Sequence, residues 1–348
     1  MDSLQAYCNQ HRSMPSRYDE RDTIFSRMYE LIPGTQRYEE YYARRPDLLE
    51  IDTSLRSGAD GVFSDRLLEQ APISGGYRFL SDLRQFAWKA TTPSPSLSDT
   101  AGLMASLEQS ARRFNAADFR VTRTPVEHAY AVRGRGEHYG EPNDSLLPCT
   151  IVFSVPMDSN AVQKAPAVEE SVAVTESYIQ VAVIGMVLSY TLRELGFRAV
   201  CHMDGESQLI LPPLAEAAGL GSIGWMGVLL TRTHGPGIRL GAVSTDAPLP
   251  LDTPDTGRET RRAAVLKYCM QCGRCARLCP AGAIKPLSDS SNRSQPSIDH
   301  ERCYRTWREL GTDCGVCLAV CPFGTASPSQ AAAEPGDPDF LKSILYRR

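Results

Sequence analysis

Apolar residues are concentrated in the middle of the chain, where their spacing predicts two buried elements. Ile151–Val155 is a short apolar run between turn residues, which indicates a buried strand. A long helix is predicted from about Glu170 to Leu195, where Gly196 ends it. The second half of this helix is apolar almost all round, so we expect it to be deeply buried. Its longest apolar run, Val181–Leu192, is too short to cross a lipid bilayer.

Shorter elements are predicted on both sides of this helix. Two helices precede it, one around Asp22–Leu31 and one at Gly102–Phe114. A small helix near Ala215 leads into a glycine-rich loop. Strands are expected at Phe197–Met203, Gly227–Thr233 and Ile238–Thr245, with the last two joined across His234–Gly237. Helices before, between and after antiparallel strands predict an α+β fold.

The same pattern divides the chain into four parts. Residues 1–95 are weakly periodic and rich in Arg, Tyr, Asp and Glu. We expect them to form an arm of irregular structure and short helices that packs on the core. A loop rich in Pro, Ser and Thr at 90–100 leads into a core domain at 96–260. A cysteine-rich domain is predicted at 261–325, followed by a connector and C-terminal tail at 326–348.

Composition and charge narrow the range of functions. With 348 residues, the chain can form a sizeable core in one or two domains. Hydrophobic residues make up 42% and charged residues 22%, values that are ordinary for a soluble globular protein. The net charge of −4 gives no whole-protein attraction to nucleic acid. Because the first residues contain neither an apolar signal segment nor a twin arginine, we expect a cytoplasmic protein with no membrane span.

Eight of the eleven cysteines lie near the C-terminus, in or beside two motifs. The first motif, Cys269–Pro280, has the spacing C-x2-C-x2-C-x3-C-P, which is typical of iron–sulfur ligands in bacterial ferredoxins. The second motif, Cys314–Pro322, has the spacing C-x2-C-x3-C-P and lacks one cysteine at the usual place. Cys303 upstream can supply that ligand. In paired motifs of this kind, three cysteines hold one cubane and the fourth reaches the other cluster.

This crossed arrangement predicts two [4Fe–4S] clusters. The ligands of the first cluster are predicted to be Cys269, Cys272, Cys275 and Cys321. The ligands of the second cluster are predicted to be Cys303, Cys314, Cys317 and Cys279. Zinc and disulfides are the alternatives, but structural zinc usually shows separated C-x2-C pairs, and disulfides are not expected in a chain without a signal peptide. Of the other cysteines, Cys149 and Cys201 are expected to be small buried hydrophobes and Cys8 to be exposed.

The glycine-rich loop, Gly219–Gly224, has the letters G-x-G-x-x-G of a dinucleotide-binding loop. A dinucleotide site needs a strand immediately before the loop and an acidic residue on a following strand. An alanine-rich helical stretch precedes this loop instead, and no such acid is placed, so NAD binding is disfavoured. Two interpretations remain open. Either the backbone closely approaches a large planar or polar ligand, or the loop only turns the chain.

A further set of motifs runs in order along nearly the whole chain. Its members are Arg17–Arg27, Tyr41–Pro46, the helix from Tyr178 into Arg193–Phe197, Ala218–Gly221, Gly235–Leu249 and Cys303–Phe323. The ordered set resembles the corrinoid-dependent reductive dehalogenase family, including the displaced first cysteine of the second cluster motif. The chain departs from that family in lacking a twin-arginine signal and a fused flavin and ferredoxin reductase module. It also has Asp204 where the family often has Asn.

The resemblance implies a nitroreductase-like core that binds base-off cobalamin, joined to a ferredoxin-like domain with two [4Fe–4S] clusters. It implies reductive removal of halide from a small organohalide, with a reduced ferredoxin or flavodoxin as electron donor. Tyr178 matches the proton-donating tyrosine of the family, and Arg239 lies where the family places a basic partner. Contacts with the corrin or its pocket are then expected from Gly219, Gly221, Ser222 and Asp204. The chain could also form a homodimer.

The pairing of Tyr178 with Arg239 has an expected effect on the acidity of the tyrosine. A phenol has a pKa near 10, so a fixed cation beside Tyr178 would lower the pKa and help the proton to leave. Arginine does not deprotonate, so Arg239 cannot itself be the acid. The alternatives are a core tyrosine with a satisfied hydroxyl for Tyr178, and a surface ion pair or a corrin side-chain contact for Arg239.

Two other classes of function stay open. An epoxyqueuosine-reductase-like enzyme would share cobalamin, the clusters and the core fold, but that family acts on tRNA and usually has a catalytic Asp in an RDYH-like motif. The comparable residues here, Arg135–Tyr139, stand in the wrong order relative to the core helix, and the acidic net charge disfavours tRNA. A non-enzymatic iron–sulfur electron carrier would leave residues 1–260 without a function.

Overall fold

The computed structural model describes residues 17–57, 67–88, 99–253, 255–286 and 298–324. Its strands are β1 (Asp118–Arg123), β2 (Cys149–Pro156), β3 (Ala199–His202), β4 (Gly221–Ile223), β5 (Leu229–Thr231) and β6 (Ile238–Thr245). Four of them form an antiparallel sheet in the order β1-β2-β6-β3, and β4 pairs separately with β5. The architecture therefore mixes helices with antiparallel sheet, while the nitroreductase-like character of the core stays a prediction.

Helices surround the sheet and extend beyond it. Those before the sheet are α1 (Ile24–Glu30), α2 (Gln36–Arg44), α3 (Leu49–Ser57), α4 (Leu67–Leu83) and α5 (Thr100–Arg113). Those within the core are α6 (Ser159–Val162), α7 (Val168–Glu194) and α8 (Leu211–Ala217). Those of the cysteine-rich part are α9 (Arg258–Cys272), α10 (Arg274–Arg277), α11 (His300–Leu310) and α12 (Val316–Ala319).

β2 is buried along almost its whole length because both faces of the sheet are covered. Ile151 and Phe153 belong to the core on the side of α7, and Val152 between them belongs to a separate core on the side of α8. This alternation follows from the two-residue period of a strand. The register between β2 and β6 places Val155 opposite Arg239, at the end of the central strands.

α7 is the core helix that the apolar pattern predicts. It packs on the sheet, and α4 and α5 pack against it as well. Val181, Ile184 and Leu188 are buried at helical spacing along it. By length and composition alone, its 27 residues are apolar enough to cross a membrane, although the shorter run seen in the sequence is not. Since 56% of its most apolar stretch is buried inside the protein, the fold uses α7 as a core helix.

α4 is longer than the short helices expected in the N-terminal region, with 17 residues. Pro72 and the pair Gly75–Gly76 lower the helix propensity of this segment, which explains why the pattern does not reveal it. Gly76 faces α7, because a Cβ there would overlap the side chain of Thr175 and lie 3.2 Å from Cδ1 of Ile179. The missing side chain therefore lets α4 lie close against α7.

The described part of the N-terminal arm contacts both the core and the cysteine-rich part. Ile24 of α1 and Tyr304 of α11 share a small apolar cluster. Arg27 is 2% exposed and forms an ion pair with Glu301, also on α11. On the core side, the backbone of Gly134 is hydrogen-bonded by side chains of the arm. The arm thus connects the core with the cysteine-rich part, and the predicted domain bounds stay predictions.

One local prediction about the segment after β3 is wrong. The two strands expected to be joined across His234–Gly237 are present as β5 and β6, and they belong to different sheets, because β5 pairs with β4 and β6 joins the central sheet. Part of the predicted glycine-rich loop is itself the strand β4. Elsewhere the agreement is closer. Ile238–Thr245 is a strand with both bounds as predicted, and the helix expected at Gly102–Phe114 is α5.

Candidate functional site

The first set of predicted cluster ligands comes together in the structure. Its members lie at the end of α9, within α10 and just after α12. All four line one cavity: Cys269, Cys272, Cys275 and Cys321. The rest of the cavity wall includes Trp225, Leu230, Tyr268 and Phe323. One cysteine of the second motif therefore stands beside three of the first.

The second set is gathered by α11, α12 and two turns. Cys303 lies in α11 and Cys317 in α12, while Cys279 follows α10 and Cys314 precedes α12. The thiols of Cys303 and Cys317 are each close enough to those of Cys279 and Cys314 to interact electrostatically. Cys314 has a φ of 65° and the next residue, Gly315, a φ of 61°. Two successive residues with positive φ form a tight loop, and glycine adopts this backbone conformation more easily than other residues.

Burial raises the pKa of several of these thiols and so makes them weaker acids. It raises the pKa of Cys269 and Cys317 to about 12, and that of Cys275 and Cys303 to about 11. Thiolates in such positions need a bound cation to stabilise them, and iron–sulfur clusters are held by cysteine thiolates. The two donor sets therefore fit iron–sulfur clusters. Among the described residues, no three or more Cys, His, Asp or Glu side chains come close enough to hold a single metal ion.

Tyr178 and Arg239 contact each other in the core domain. Tyr178 lies in α7 and Arg239 at the start of β6. The guanidinium carbon of Arg239 lies 5.1 Å from the centroid of the Tyr178 ring, within cation–π range. Arg239 donates a hydrogen bond from Nη1 to the backbone oxygen of Ile238 (3.0 Å). Its Nε is buried and has no hydrogen-bond partner in the part of the chain that the structure describes.

Two opposed effects act on the hydroxyl of Tyr178. Burial raises its pKa and is the larger effect, while the guanidinium of Arg239 lowers it. The pKa therefore lies above the ordinary value, which reverses the direction expected from the cation alone. The free energy cost of removing the phenolate from water is larger than the stabilisation that the cation provides. As a result, Tyr178 carries its proton at neutral pH.

Three ionisable residues that the sequence interpretation did not select surround this pair. The ring centroid of Tyr77, on α4, lies 6.5 Å from that of Tyr178. Asp313 accepts a hydrogen bond from Tyr77, and Glu170 lies in the first turn of α7. Burial raises the pKa of Asp313 to about 6 and that of Glu170 to about 7, and Arg239 acts against both shifts. No motif marks these residues, because α4, α7 and the cysteine-rich loop bring them together only in the fold.

Glu170 and Asp313 connect this site to the second cysteine set. Glu170 is 1% exposed, and a Cβ added to Gly315 would overlap its carboxylate. The backbone N–H of Asp313 donates to Oγ of Ser171 (2.9 Å). Both contacts hold the loop that carries Cys314 against the first turn of α7. The second cysteine set therefore lies next to the Tyr178 site.

The glycine-rich segment predicted to face a corrin is occupied by contacts within the protein. A Cβ added to Gly221 would overlap the backbone oxygen of Leu230 in the paired strand. A Cβ added to Gly219 would lie 3.2 Å from Cβ of Asp255, and Ser222 is 1% exposed. Protein atoms thus fill the space that these small residues leave. This favours the interpretation that the segment turns and pairs the chain.

Asp204 is the predicted pocket residue that does lie near the pair. Its negative charge raises the pKa of Tyr178, and Arg84 forms an ion pair with it at 3.4 Å. Buried polar atoms without a hydrogen-bond partner among the described residues belong to the same group, namely Nε of Arg239, Oδ2 of Asp313 and both carboxylate oxygens of Glu170. Buried polar atoms in native proteins usually have a partner. The site therefore fits a ligand with polar groups.

Comparison with known proteins relates these features to a family. A family model described as a 4Fe-4S dicluster domain matches residues 268–325. The chain is 34% identical over 176 residues to a tetrachloroethene reductive dehalogenase of Desulfitobacterium hafniense, which covers 47% of this chain and 30% of that protein. It is 33% identical over 186 residues to a tetrachloroethene reductive dehalogenase of Sulfurospirillum multivorans, which covers 49% and 35%. The chain is a relative of the reductive dehalogenases. The predicted resemblance is thereby confirmed, and the match spans about a third of the length of these relatives.

Solved structures show the same relationship at the level of fold. A catabolic reductive dehalogenase in complex with 3-bromo-4-hydroxybenzoic acid has a TM-score of 0.65 at 20% identity, over 78% of this chain and 40% of that one. A variant of the same dehalogenase has a TM-score of 0.67 at 19% identity, over 84% and 43%. An epoxyqueuosine reductase of Aliivibrio fischeri is also related, with 32% identity over 105 residues, 30% of this chain and 25% of that protein.

Proposed function

We propose that the chain is a cobalamin-dependent oxidoreductase of the reductive dehalogenase type. Two electrons and one proton convert R–X into R–H and a halide ion, and the electrons pass through two [4Fe–4S] clusters. The observation that carries this proposal is the contact of Arg239 with Tyr178, beside the loop of the second cysteine set. This contact supports a site where a bound substrate can receive both a proton and electrons.

Tyr178 is the proposed proton donor. Because burial raises its pKa, the hydroxyl keeps its proton until the substrate carbon takes it. The phenolate that forms is negatively charged in a site with little water, and Arg239 is the cation that lowers the pKa most. A cation held in place before the reaction stabilises this charge without reorganisation. Arginine stays protonated, so Arg239 acts only as an electrostatic partner.

The residues around this pair support a large polar cofactor. A solved structure with the same fold is described as suggesting a mechanism for B12-dependent dehalogenation, which favours cobalamin here. When bound, its cobalt would supply the electrons that break the carbon–halogen bond. Base-off binding is implied by the family resemblance and is part of this proposal. The residues proposed to face the cofactor are Arg239, Asp313, Glu170 and Asp204.

A small organohalide is the proposed substrate. The related proteins are named for tetrachloroethene, and one similar structure holds 3-bromo-4-hydroxybenzoic acid. Tyr77 and Tyr178 offer two aromatic rings with centroids 6.5 Å apart, which suits a planar halogenated molecule. The ion pair of Asp204 with Arg84 adds a polar wall that is partly exposed. Halophenols and haloalkenes are therefore the two classes to test.

The exchange Tyr178→Phe in the holoprotein tests the proposal. The variant should keep the iron, acid-labile sulfide and cobalamin of the parent. Its halide release, measured anaerobically with reduced methyl viologen, should fall by at least about a hundredfold, the scale of general acid catalysis. Tyr29→Phe is the control, because Tyr29 is 67% exposed, and it should leave turnover unchanged. Full turnover of the Tyr178 variant, or no halide release by the parent from either substrate class, would contradict the proposal.

An epoxyqueuosine-reductase-like activity is the second candidate, because one such enzyme is 32% identical over 105 residues. The same holoprotein incubated with epoxyqueuosine-containing tRNA tests it. Formation of queuosine without halide release from any organohalide would replace the first proposal by this one. A purely electron-carrying function is disfavoured, because it gives no role to the group of Tyr178, Arg239 and their buried acidic neighbours.

A further inference from the structure

The segment that carries the first cysteine set is basic within an acidic protein. Between residues 260 and 286 the sequence contains six Lys or Arg and no Asp or Glu, while the whole chain has a net charge of −4. Two of the six are paired with the core, Arg261 with Asp255 and Arg262 with Glu216. The remaining positive charge is therefore not matched by acids of its own segment.

Three of the other cations and two exposed apolar residues lie together on α9, on α10 and just after α10. Lys267, Arg274 and Arg277 are exposed, and within the described ranges no ion pair reaches them. Met270 is 47% exposed and Leu278 is 50% exposed. The spacing of three residues puts Lys267 and Met270 on one face of α9 and Arg274 and Arg277 on one face of α10, and Leu278 directly follows Arg277. We call these five residues the cationic surface.

The cationic surface adjoins the first cysteine set. Arg274 lines the cavity of that set, and three of its four cysteines are partly exposed. Among the second set, Cys279 follows Leu278 in the sequence, and the loop that carries Cys314 contacts Glu170 and Ser171 of α7. An electron that enters beside Arg274 therefore meets the first cluster, and the second cluster has its loop against the Tyr178 site.

We propose that the cationic surface docks a small acidic iron–sulfur protein of the ferredoxin type. This inference rests on the proposed function, since it requires that the cysteine sets hold clusters. In each encounter one electron leaves the reduced cluster of the carrier and enters the first cluster of this protein. The carrier is oxidised, the first cluster is reduced, and no covalent bond forms or breaks.

Charge and chemistry both favour this partner. Opposite charges steer two proteins together and raise the association rate by about 10-fold to 10³-fold. Methionine and arginine are enriched at protein interfaces, and redox encounters need only a small contact area. A nucleic acid would also be attracted by cations, but it has no use for exposed apolar residues and is repelled by the acidic remainder of the chain.

The test compares two double variants with the same change in net charge. K267Q/R277Q removes two cations of the cationic surface and leaves Arg274, beside the ligands, in place. R113Q/R123Q removes two exposed arginines of the core. Each oxidised holoprotein is mixed anaerobically with reduced ferredoxin, and bleaching of its clusters is followed by stopped flow without any organohalide. Dithionite replaces ferredoxin in a parallel series, and iron and sulfide contents are matched.

At low ionic strength, K267Q/R277Q should lower the second-order rate constant for reduction by ferredoxin by about tenfold or more, and R113Q/R123Q by less than about twofold. The difference should disappear at about 0.5 M salt, where surface charges are screened. Dithionite is itself an anion, so its reduction of the proteins is compared at about 0.5 M salt, where it should be equal in all of them. Equal slowing by ferredoxin in both doubles, no slowing in either, or slower reduction of K267Q/R277Q by dithionite at that salt would overturn the proposal. Binding of tRNA that depends on Lys267 and Arg277 and blocks ferredoxin would overturn it as well.

This experiment is separate from the test of dehalogenation. Cluster bleaching needs no organohalide, so a protein that releases no halide can still give the expected rates. Conversely, a protein that dehalogenates with methyl viologen but shows no difference between the two doubles would keep the proposed function and lose the proposed docking surface.

Discussion

Arg239 holds its guanidinium carbon 5.1 Å from the centroid of the Tyr178 ring, so the cation meets the face of the phenol. Replacing it by glutamine removes the charge that opposes the raised pKa of Tyr178. We expect Arg239→Gln to lower turnover by about a hundredfold, since the phenolate would lose its main stabilising charge. Arg239→Lys keeps a positive charge and should lose less. The measurement is halide release by holoproteins of equal cofactor content, and equal losses in the two variants would contradict an electrostatic role.

The close contact of α4 with α7 gives a second prediction. Gly76→Ala should push α4 away from Thr175 and shift Tyr77 relative to Tyr178, so turnover should fall at least about tenfold, a loss that a displacement of about 1 Å can exceed. Gly75→Ala is a matched control on the same helix, because nothing lies within 4 Å of the position of its Cβ. That exchange should preserve turnover and raise stability by up to about 1 kcal/mol through helix propensity. If both variants behave alike, the packing of α4 does not position the site.

The crossed placement of the cysteines predicts which cluster each exchange removes. Cys321→Ser should abolish the cluster of Cys269, Cys272 and Cys275, although it lies in the other motif. Cys279→Ser should abolish the cluster that Cys303 and its partners hold. Each variant should retain about half of the iron and sulfide, and the remaining electron paramagnetic resonance signals of the reduced proteins should differ. Identical remaining signals would show that the ligands are not crossed.

His202 predicts a pH dependence of stability. It is fully buried, its Nε2 lies 2.7 Å from Oγ of Ser244, and burial lowers its pKa to about 3. The unfolded chain takes up a proton near pH 6.5, whereas the folded chain does not do so above about pH 3. Stability should therefore fall as the pH drops through 6.5, by about 1.4 kcal/mol per pH unit. This contribution is fully present above pH 6.5.

His202→Gln should remove that contribution while lowering stability at all pH values through lost packing. The midpoint of thermal unfolding is measured anaerobically at about pH 7.5 and about pH 5.5, a range that brackets the pKa of an unfolded histidine. The parent should lose more on acidification than the variant does. His300→Gln, at an exposed histidine, serves as the control and should follow the parent. An equal loss in parent and His202 variant would show that His202 is protonated in the fold.

Residues that are close in sequence could be predicted well. The cysteine motifs set the spacing of cluster ligands locally, so the structure brings each predicted set together. The apolar positions of α7 and the strand Ile238–Thr245 were likewise found from their periodicity, because burial on the sheet is what creates the pattern. Tyr178 and Arg239 were paired through the family resemblance, since no local pattern connects a helix with a strand so far along the chain.

The sequence did not reveal the site residues that only tertiary packing brings together. Tyr77, Glu170 and Asp313 come from three separate elements, and each has an ordinary sequence environment. Their raised pKa values arise from burial that only the folded chain produces. For the segment Gly219–Gly224, the sequence suggested a ligand site where the structure shows contacts within the protein. Gly221 is required there by the oxygen of Leu230 in the adjacent strand, so its small size reflects strand pairing.

The contact between α1 and α11 has a consequence for biosynthesis. Ile24 leaves the ribosome long before Tyr304, its partner in the small apolar cluster, has been made. The same holds for Arg27 and Glu301. The arm therefore cannot complete its packing during translation and must wait for the helix that also carries Cys303. Chaperones should be needed to protect nascent chains until this helix has been made. Packing of the arm is expected among the last steps of maturation.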